Sequence, residues 1–330
     1  MKKTLIALAF ASITTGAYAN SPAINGGDST NEVYTTDGAS IFLGGRAEFR
    51  GDFIGTDSGD EIDGTMKDSS RARINIGGVS NISDSLSAFG FYEAEQSTGE
   101  GAELTQRYAY AGLMGRLGAM SFGKQNTANV QLSDMSDIGT YTGDQKAFID
   151  AGDEQQTNNI SYIGEFDSLR VQASYIAGEE EDSDGYGLSA IYRLPMGLDL
   201  GLGYTGANQD QSQITAGASY ASGGFYAGLT YTTGDTAKDT VGDAVDFEGY
   251  ELAAQYVFDN NFRVIGAYQN QQIDGDDTAD FFELTGGYDF NQHVYAYLAY
   301  KFNQLDDNNN FFVPSSNDED SMRLGLKYTF

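Results

Sequence analysis

The sequence predicts an all-β fold, a 16-stranded antiparallel barrel that crosses a membrane. Three observations carry that expectation. Sixteen short segments alternate apolar and polar residues with a period of two. The connections between them alternate in length, short then long. The chain also stops in mid-pattern: MRLGLKYTF (322–330) places Met322, Leu324, Leu326, Tyr328 and Phe330 on one face and ends on the last of these. Free chain ends ordinarily fray. A barrel instead gives the terminal strand a partner by closing it onto the first strand, which removes the exposed edge.

Residues 1–19 read as a cleaved secretory signal peptide. Lys2 and Lys3 precede an apolar run over 5–13, and Ala17-Tyr18-Ala19 stands before Asn20. The run is too short to span a bilayer as a helix. The barrel domain then occupies 20–330 without a linker. The formal net charge is −30, and loss of the leader's two lysines makes it more negative, which excludes nucleic acid as a partner. There is no cysteine, hence no disulfide framework and no thiolate metal site. The 42 glycines and 3 prolines argue against a disordered proline-rich chain. Mean hydropathy is −0.39, and no apolar stretch follows residue 19. A hydropathy scan would therefore miss a barrel, whose strands show lipid only every second residue.

In chain order the alternating segments are 41–53, 71–82, 86–95, 106–114, 117–124, 158–165, 169–177, 186–194, 198–206, 212–221, 225–233, 247–258, 262–272, 280–290, 293–303 and 322–330. The short connections are 81–85, 115–116, 166–168, 195–197, 222–224, 259–261 and 291–292; the rest are longer, up to 125–157. Tight turns at one end of every hairpin and variable loops at the other are what outer-membrane barrels show. A soluble sandwich has no reason to sort its loops so. The first segment, IFLGGRAEFRGDF, separates an apolar set (Ile41, Leu43, Gly45, Ala47, Phe49, Gly51, Phe53) from a charged one (Arg46, Glu48, Arg50, Asp52). In a membrane barrel the first set meets lipid and the second lines the lumen. Aromatic pairs near strand ends, Tyr108 and Tyr110, Tyr300 and Phe302, Tyr328 and Phe330, read as interfacial girdles on the lipid face.

Three stretches resemble the trimeric general porins of Gram-negative outer membranes. Glu32-Val33-Tyr34 through Leu43-Gly44-Gly45-Arg46-Ala47 is similar to that family's first strand. Arg107-Tyr108-Ala109-Tyr110-Ala111-Gly112-Leu113, with Ser121-Phe122-Gly123-Lys124-Gln125, is similar to its fourth and fifth. Tyr328-Thr329-Phe330 resembles its terminal signal, with Tyr328 and Phe330 read by the barrel-assembly machinery. The resemblance implies a homotrimer, contact with outer-membrane lipid and lipopolysaccharide, and an inward-folded third extracellular loop that narrows the pore.

It also implies a constriction in which basic wall residues face acidic loop residues. Arg46, Arg73 and Lys124 match the basic positions, and Arg71 shares a face with Arg73. Strict alternation puts Lys124 with Met120 and Phe122, so a bulge is needed to turn it inward. Asp134 and Asp137, in Ser133-Asp134-Met135-Ser136-Asp137, match the acidic segment of the third loop, 125–157. The family's Pro-Glu-Phe-Gly-Gly stretch is absent. Where many members carry a further arginine, this chain has Asp150-Ala151-Gly152-Asp153-Glu154, which predicts cation selectivity.

The long connections are rich in acid: Asp57, Asp60, Glu61 and Asp63; Glu179 to Asp182 and Asp184; Asp306, Asp307, Asp318, Glu319 and Asp320. Without an EF-hand pattern these read as a solvated rim that holds divalent cations loosely, not as a metal site, and no cofactor is expected. An enzyme is not expected either. The single histidine, His293, follows a short turn, away from the long loops where substrate would arrive. The expected function is that of an outer-membrane general diffusion porin, passing ions and small hydrophilic solutes passively. The alternatives are a barrel whose acidic loops serve as an adhesin surface, and a soluble exported β-protein.

Overall fold

The expected closure is visible first at the chain's two ends. In the computed structural model, which describes residues 30–98, 102–181, 183–208, 210–237, 244–305 and 318–330, β2 (Ala39–Ile54) pairs antiparallel with β18 (Ser321–Thr329). The register runs from Ser321 opposite Ile54 to Thr329 opposite Arg46. On its other edge β2 pairs with β4 (Arg71–Ser83). Each strand then pairs with the next, through β5 (Leu86–Ser97), β6 (Leu104–Gly115), β7 (Gly118–Gln125), β8 (Gln156–Phe166) and β9 (Leu169–Ile176). The circuit continues through β10 (Gly185–Arg193), β11 (Leu198–Ala207), β12 (Ser212–Ser222), β13 (Phe225–Ala237) and β14 (Ala244–Val257). It returns to β18 by β15 (Phe262–Ile273), β16 (Asp276–Asp289) and β17 (Val294–Asn303). The result is a closed antiparallel barrel of sixteen strands. The leader reading, 1–19, lies outside the described residues, as do Asp182, Asp306 and Asp307.

Two short strands add to the sixteen that alternation finds. β1 (Thr30–Thr35) pairs with β2 from Thr30 opposite Gly44 to Thr35 opposite Ser40. It continues the line of β18: between them Gly45 N donates to Phe330 O at 3.1 Å and Phe330 N donates to Gly45 O at 3.0 Å. The last residue is therefore held in the ladder and does not fray. β3 (Lys67–Asp68) pairs only with Gly51 and Asp52.

The faces of β2 fall as its alternation requires. Ile41 and Phe49 are exposed, while Arg46, Glu48, Arg50 and Asp52 are buried on the inner side. The girdle reading of Tyr108 and Tyr110 is corrected. They are 2% and 6% exposed and pack with Phe42, Val79, Phe89 and Phe91 on the inner wall. The reason is that β6 has small apolar residues on its other face, so its two faces look alike in sequence, and a register shift at Glu93/Ala94 intervenes. Phe302, Tyr328 and Phe330 do point outward and are exposed. No described helix is long and apolar enough to cross a membrane, which leaves crossing by strands untouched.

Helix occurs only in the longest connection, as α1 (Val130–Ser133) and two single 3₁₀ turns (Asp144–Lys146 and Asp150–Gly152) among the described residues. Its apolar side chains pack against inner-face residues of the strands. Leu132 and Met135 meet Ile191, Phe148 stacks on Phe247 with ring centroids 4.2 Å apart, and Tyr141 joins Phe281 and Tyr297. Burying such a side chain fully stabilises by about 2 kcal/mol, so three contacts anchor the segment along its length.

Candidate functional site

Residues directly opposite in an antiparallel pair share a face, and the register of β2, β4 and β5 brings a band of charges together. Arg46 lies opposite Arg73, Glu48 opposite Arg71, and Arg73 opposite Glu95. Arg71 Nε donates to Glu48 Oε2 at 3.0 Å, and its Nη1 is 3.7 Å from Glu95. Arg73 is in direct contact with Glu95, and Arg46 Nη2 is 3.8 Å from Glu48. Further along, Arg107 Nε donates to Glu93 Oε1 at 2.9 Å, with its Nη2 3.8 Å from Glu154. The predicted residues Arg46, Arg71 and Arg73 thus come together, but interleaved with glutamates of the same wall.

Lys124 does not join them. A bulge does occur, between Gly123 and Gln125, yet Lys124 stays opposite Ala109, beside the Phe122–Ala111 pair, and donates to Gln106 O at 2.8 Å. Phe122 is 54% exposed and Gln125 is buried, so the bulge returns Gln125, not Lys124, to the inner face.

The segment 126–155 is bound to the inner-face side chains by its own backbone. Thr140 N and Tyr141 N donate to the Glu283 carboxylate at 2.8 and 2.9 Å, and Gly143 N donates to Glu251 Oε2 at 2.8 Å. Tyr226 Oη donates to Met135 O at 2.8 Å and Thr236 Oγ1 to Phe148 O at 2.7 Å, and Ser136 meets Thr230. Irregular backbone buried away from water must find partners of this kind. The alternation did not single out Glu93, Glu95, Glu251 or Glu283, although Glu93, Glu251 and Glu283 each stand between apolar neighbours as the charged residues of β2 do.

Asp134 is the C-cap of α1 and Asp137 follows three residues later. Asp137 Oδ2 lies 3.6 Å from Lys146 Nζ, which is 3.9 Å from Glu154 Oε1. Burial pushes the Asp137 carboxyl up to about 6, against the pull of Lys146 and with Glu154 and Asp144 adding to the rise. Asp134 is also pushed upward by the protein packed around it, Lys146 opposing; its exposure to water tempers the shift. Lys146 is held above the ordinary lysine value: burial disfavours its charge, but Asp137 and Glu154 outweigh that. The charges that bear most on the acidic pair are therefore those of the segment itself. His293 Nδ1 is 2.8 Å from Thr329 O, in a turn. Among the described residues no group of three or more histidines, cysteines or carboxylates is placed to hold a metal ion.

A closed antiparallel barrel with a charged inner wall has clear counterparts among known proteins. A family model described as Gram-negative porin matches residues 4–309. Outer membrane protein U of Vibrio parahaemolyticus is 35% identical over the whole of both chains. The porin-like protein L of Photobacterium profundum is 32% identical, again over the whole of both. Among solved structures, an OmpF of Salmonella typhi in complex with daunomycin superposes with a TM-score of 0.76 at 22% identity, covering 91% of this chain and 100% of that one. OmpT of Vibrio cholerae, described in its trimer form, gives 0.68 at 18%, covering 89% and 100%. At these identities the two structures speak to the fold alone.

Proposed function

The chain belongs to the Gram-negative porin family, and from that premise we propose that it is a general diffusion pore whose charged constriction favours cations. It is an outer-membrane porin, a channel and not an enzyme. Ions and small hydrophilic solutes pass down their gradients, with width and charge as the only controls.

The observation that carries the selectivity is an asymmetry of charge. Arg46, Arg71 and Arg73 meet Glu48 and Glu95 on their own wall, so their field is offset where it arises. The connection 125–157, by contrast, holds six acidic residues and one basic. Its backbone bonds to Glu251 and Glu283 support the reading of an inward-folded third loop, with Asp134 and Asp137 on the acidic side of the constriction. Lys124 is left out of the basic side.

The remaining assignments belong to the same reading. Residues 1–19 are a leader removed on export, leaving 20–330 as the barrel. Tyr328 and Phe330, outward and at the end of the closing strand, form the signal to the assembly machinery. The protein is a homotrimer in a lipid and lipopolysaccharide layer, for which the trimer form of Vibrio cholerae OmpT gives a parallel. The acidic loops screen themselves with loosely held divalent cations, and no cofactor is required. Planar-bilayer recording of the purified protein tests this. Stepwise conductance with three equal closing levels, and a reversal potential of cationic sign in a salt gradient, are expected; an anionic sign refutes the selectivity, and silence refutes the pore.

A further inference from the structure

Lys146 is the single base in the connection 125–157, against Asp134, Asp137, Asp144, Asp150, Asp153 and Glu154. It is buried, at 8% exposure. Its ammonium donates to Gly143 O at 2.5 Å and lies within 4 Å of both Asp137 and Glu154, so it draws the first half of the connection toward its end. The turn is shaped to receive it. Gly143 has φ 112°, and a Cβ there would overlap the Asp137 carboxylate, so a side chain at this position would push the acid away from the lysine. The Gly143 N–H is engaged on the other side by Glu251 Oε2. A solvated surface lysine makes no such set of contacts: three acceptor groups converge on one enclosed ammonium.

Building on the porin reading above, we propose that Lys146 is the internal counter-ion of the pore, a positioning residue that sets how much of the Asp137 and Glu154 charge a passing ion meets. A cation held within 4 Å of two carboxylates offsets one of their two charges as seen from the distance of the channel axis. Without it Asp137 loses its cationic neighbour and Glu154 keeps only Arg107, so one further negative charge faces the lumen. Lys146 thus lowers the cation preference that the six acids alone would give, and does so without itself contacting the permeating ion.

The test is bilayer recording of the wild type and of Lys146→Met, Lys146→Gln and Lys146→Arg in a potassium chloride gradient at pH 9.5, chosen to keep the Asp137 carboxyl ionised although the Met and Gln variants lose the lowering pull of Lys146. Lys146→Met is expected to raise the permeability ratio of potassium over chloride by about two- to threefold, the effect of one unmasked charge at short range. Lys146→Arg should restore it. Lys146→Gln keeps a donor for Gly143 O and removes only the charge, and it decides the matter if Lys146→Met fails to assemble. A conducting Met or Gln variant whose ratio equals the wild type's overturns the proposal, because a purely structural lysine would alter noise or stability without moving the reversal potential. A wild type that does not conduct overturns the porin reading instead.

Discussion

Arg323 of the last strand and Asp52 of the first barrel strand lie opposite each other in the seam that closes the barrel, joined by two parallel hydrogen bonds. Nε donates to Oδ1 at 2.5 Å and Nη2 to Oδ2 at 3.0 Å. Both side chains are 1% exposed. The guanidinium also lies 4.9 Å from the centre of the Tyr141 ring, and Ser69 Oγ donates to Asp52 at 2.6 Å. The pair therefore binds together the seam, the short β3 end and, through Tyr141, the segment 126–155.

Removing one partner of such a pair strands a buried charge and costs about 3–5 kcal/mol, whereas replacing both by apolar residues costs much less. Arg323→Met and Asp52→Leu should each lower the temperature at which the heat-resistant folded band disappears on a detergent gel. The double variant should recover most of the loss. Additive losses would show that the two residues act apart.

Glu283 accepts from two consecutive backbone N–H groups, those of Thr140 and Tyr141. Glu283→Ala leaves both without an acceptor, at about 1–3 kcal/mol each. That is enough to free this part of the segment without unfolding the strands. Noisier open-channel current and faster proteolytic cleavage within 130–150 are expected, with Glu283→Gln, which keeps an acceptor oxygen, close to wild type. A quiet, protease-resistant Glu283→Ala pore would place the hold on the segment elsewhere.

Glycine in a strand often marks a close approach of another backbone. A Cβ at Gly228 would overlap the Met135 carbonyl, and one at Gly217 would stand 2.6 Å from Met135 Sδ. Gly228→Val must push α1 (Val130–Ser133) and the residues after it off the wall and toward the channel axis. Single-channel conductance should fall while the barrel still assembles. Gly38→Ala, where a Cβ meets nothing within 4 Å, should conduct as wild type.

The strands and their closure were legible because a two-residue period and the sorted connections are local properties. Sidedness was legible only where the two faces differ in chemistry. On β2 a charged set opposes an apolar one, but on β6 Tyr108 and Tyr110 alternate with Ala109 and Ala111, and the girdle reading failed there. At Lys124 alternation and family resemblance disagreed, and the structure follows alternation. The glutamate partners stayed hidden for a different reason. Arg71 meets Glu48 only through the register of two strands joined by a long connection, and register across a long connection is not written in a local pattern. Two signals lay in plain view: the lone lysine among the acids of 125–157, and the strand glycines that now prove to face Leu132 and Met135.

The raised Asp137 carboxyl should give selectivity and stability opposite dependences on pH. Its value in the folded pore is about 6, above the ordinary 3.8. It is therefore ionised at pH 8 and becomes protonated as the pH falls through 6, which removes one negative charge from the segment 126–155. The permeability ratio of potassium over chloride should fall between pH 8 and pH 5, and Asp137→Asn should flatten most of that change. Stability runs the other way. The folded state binds this proton more tightly than the unfolded chain does, so from this group alone stability rises as the pH drops from about 6 toward 4 and is lower above that window. Loss of cation preference on acidification with no loss of heat resistance near pH 5 is thus the expected joint outcome, read from reversal potentials and gel melting on one preparation. A fall in both together would mean that acid unfolds the segment, and a ratio unchanged from pH 8 to pH 5 would mean that Asp137 does not face the ion path.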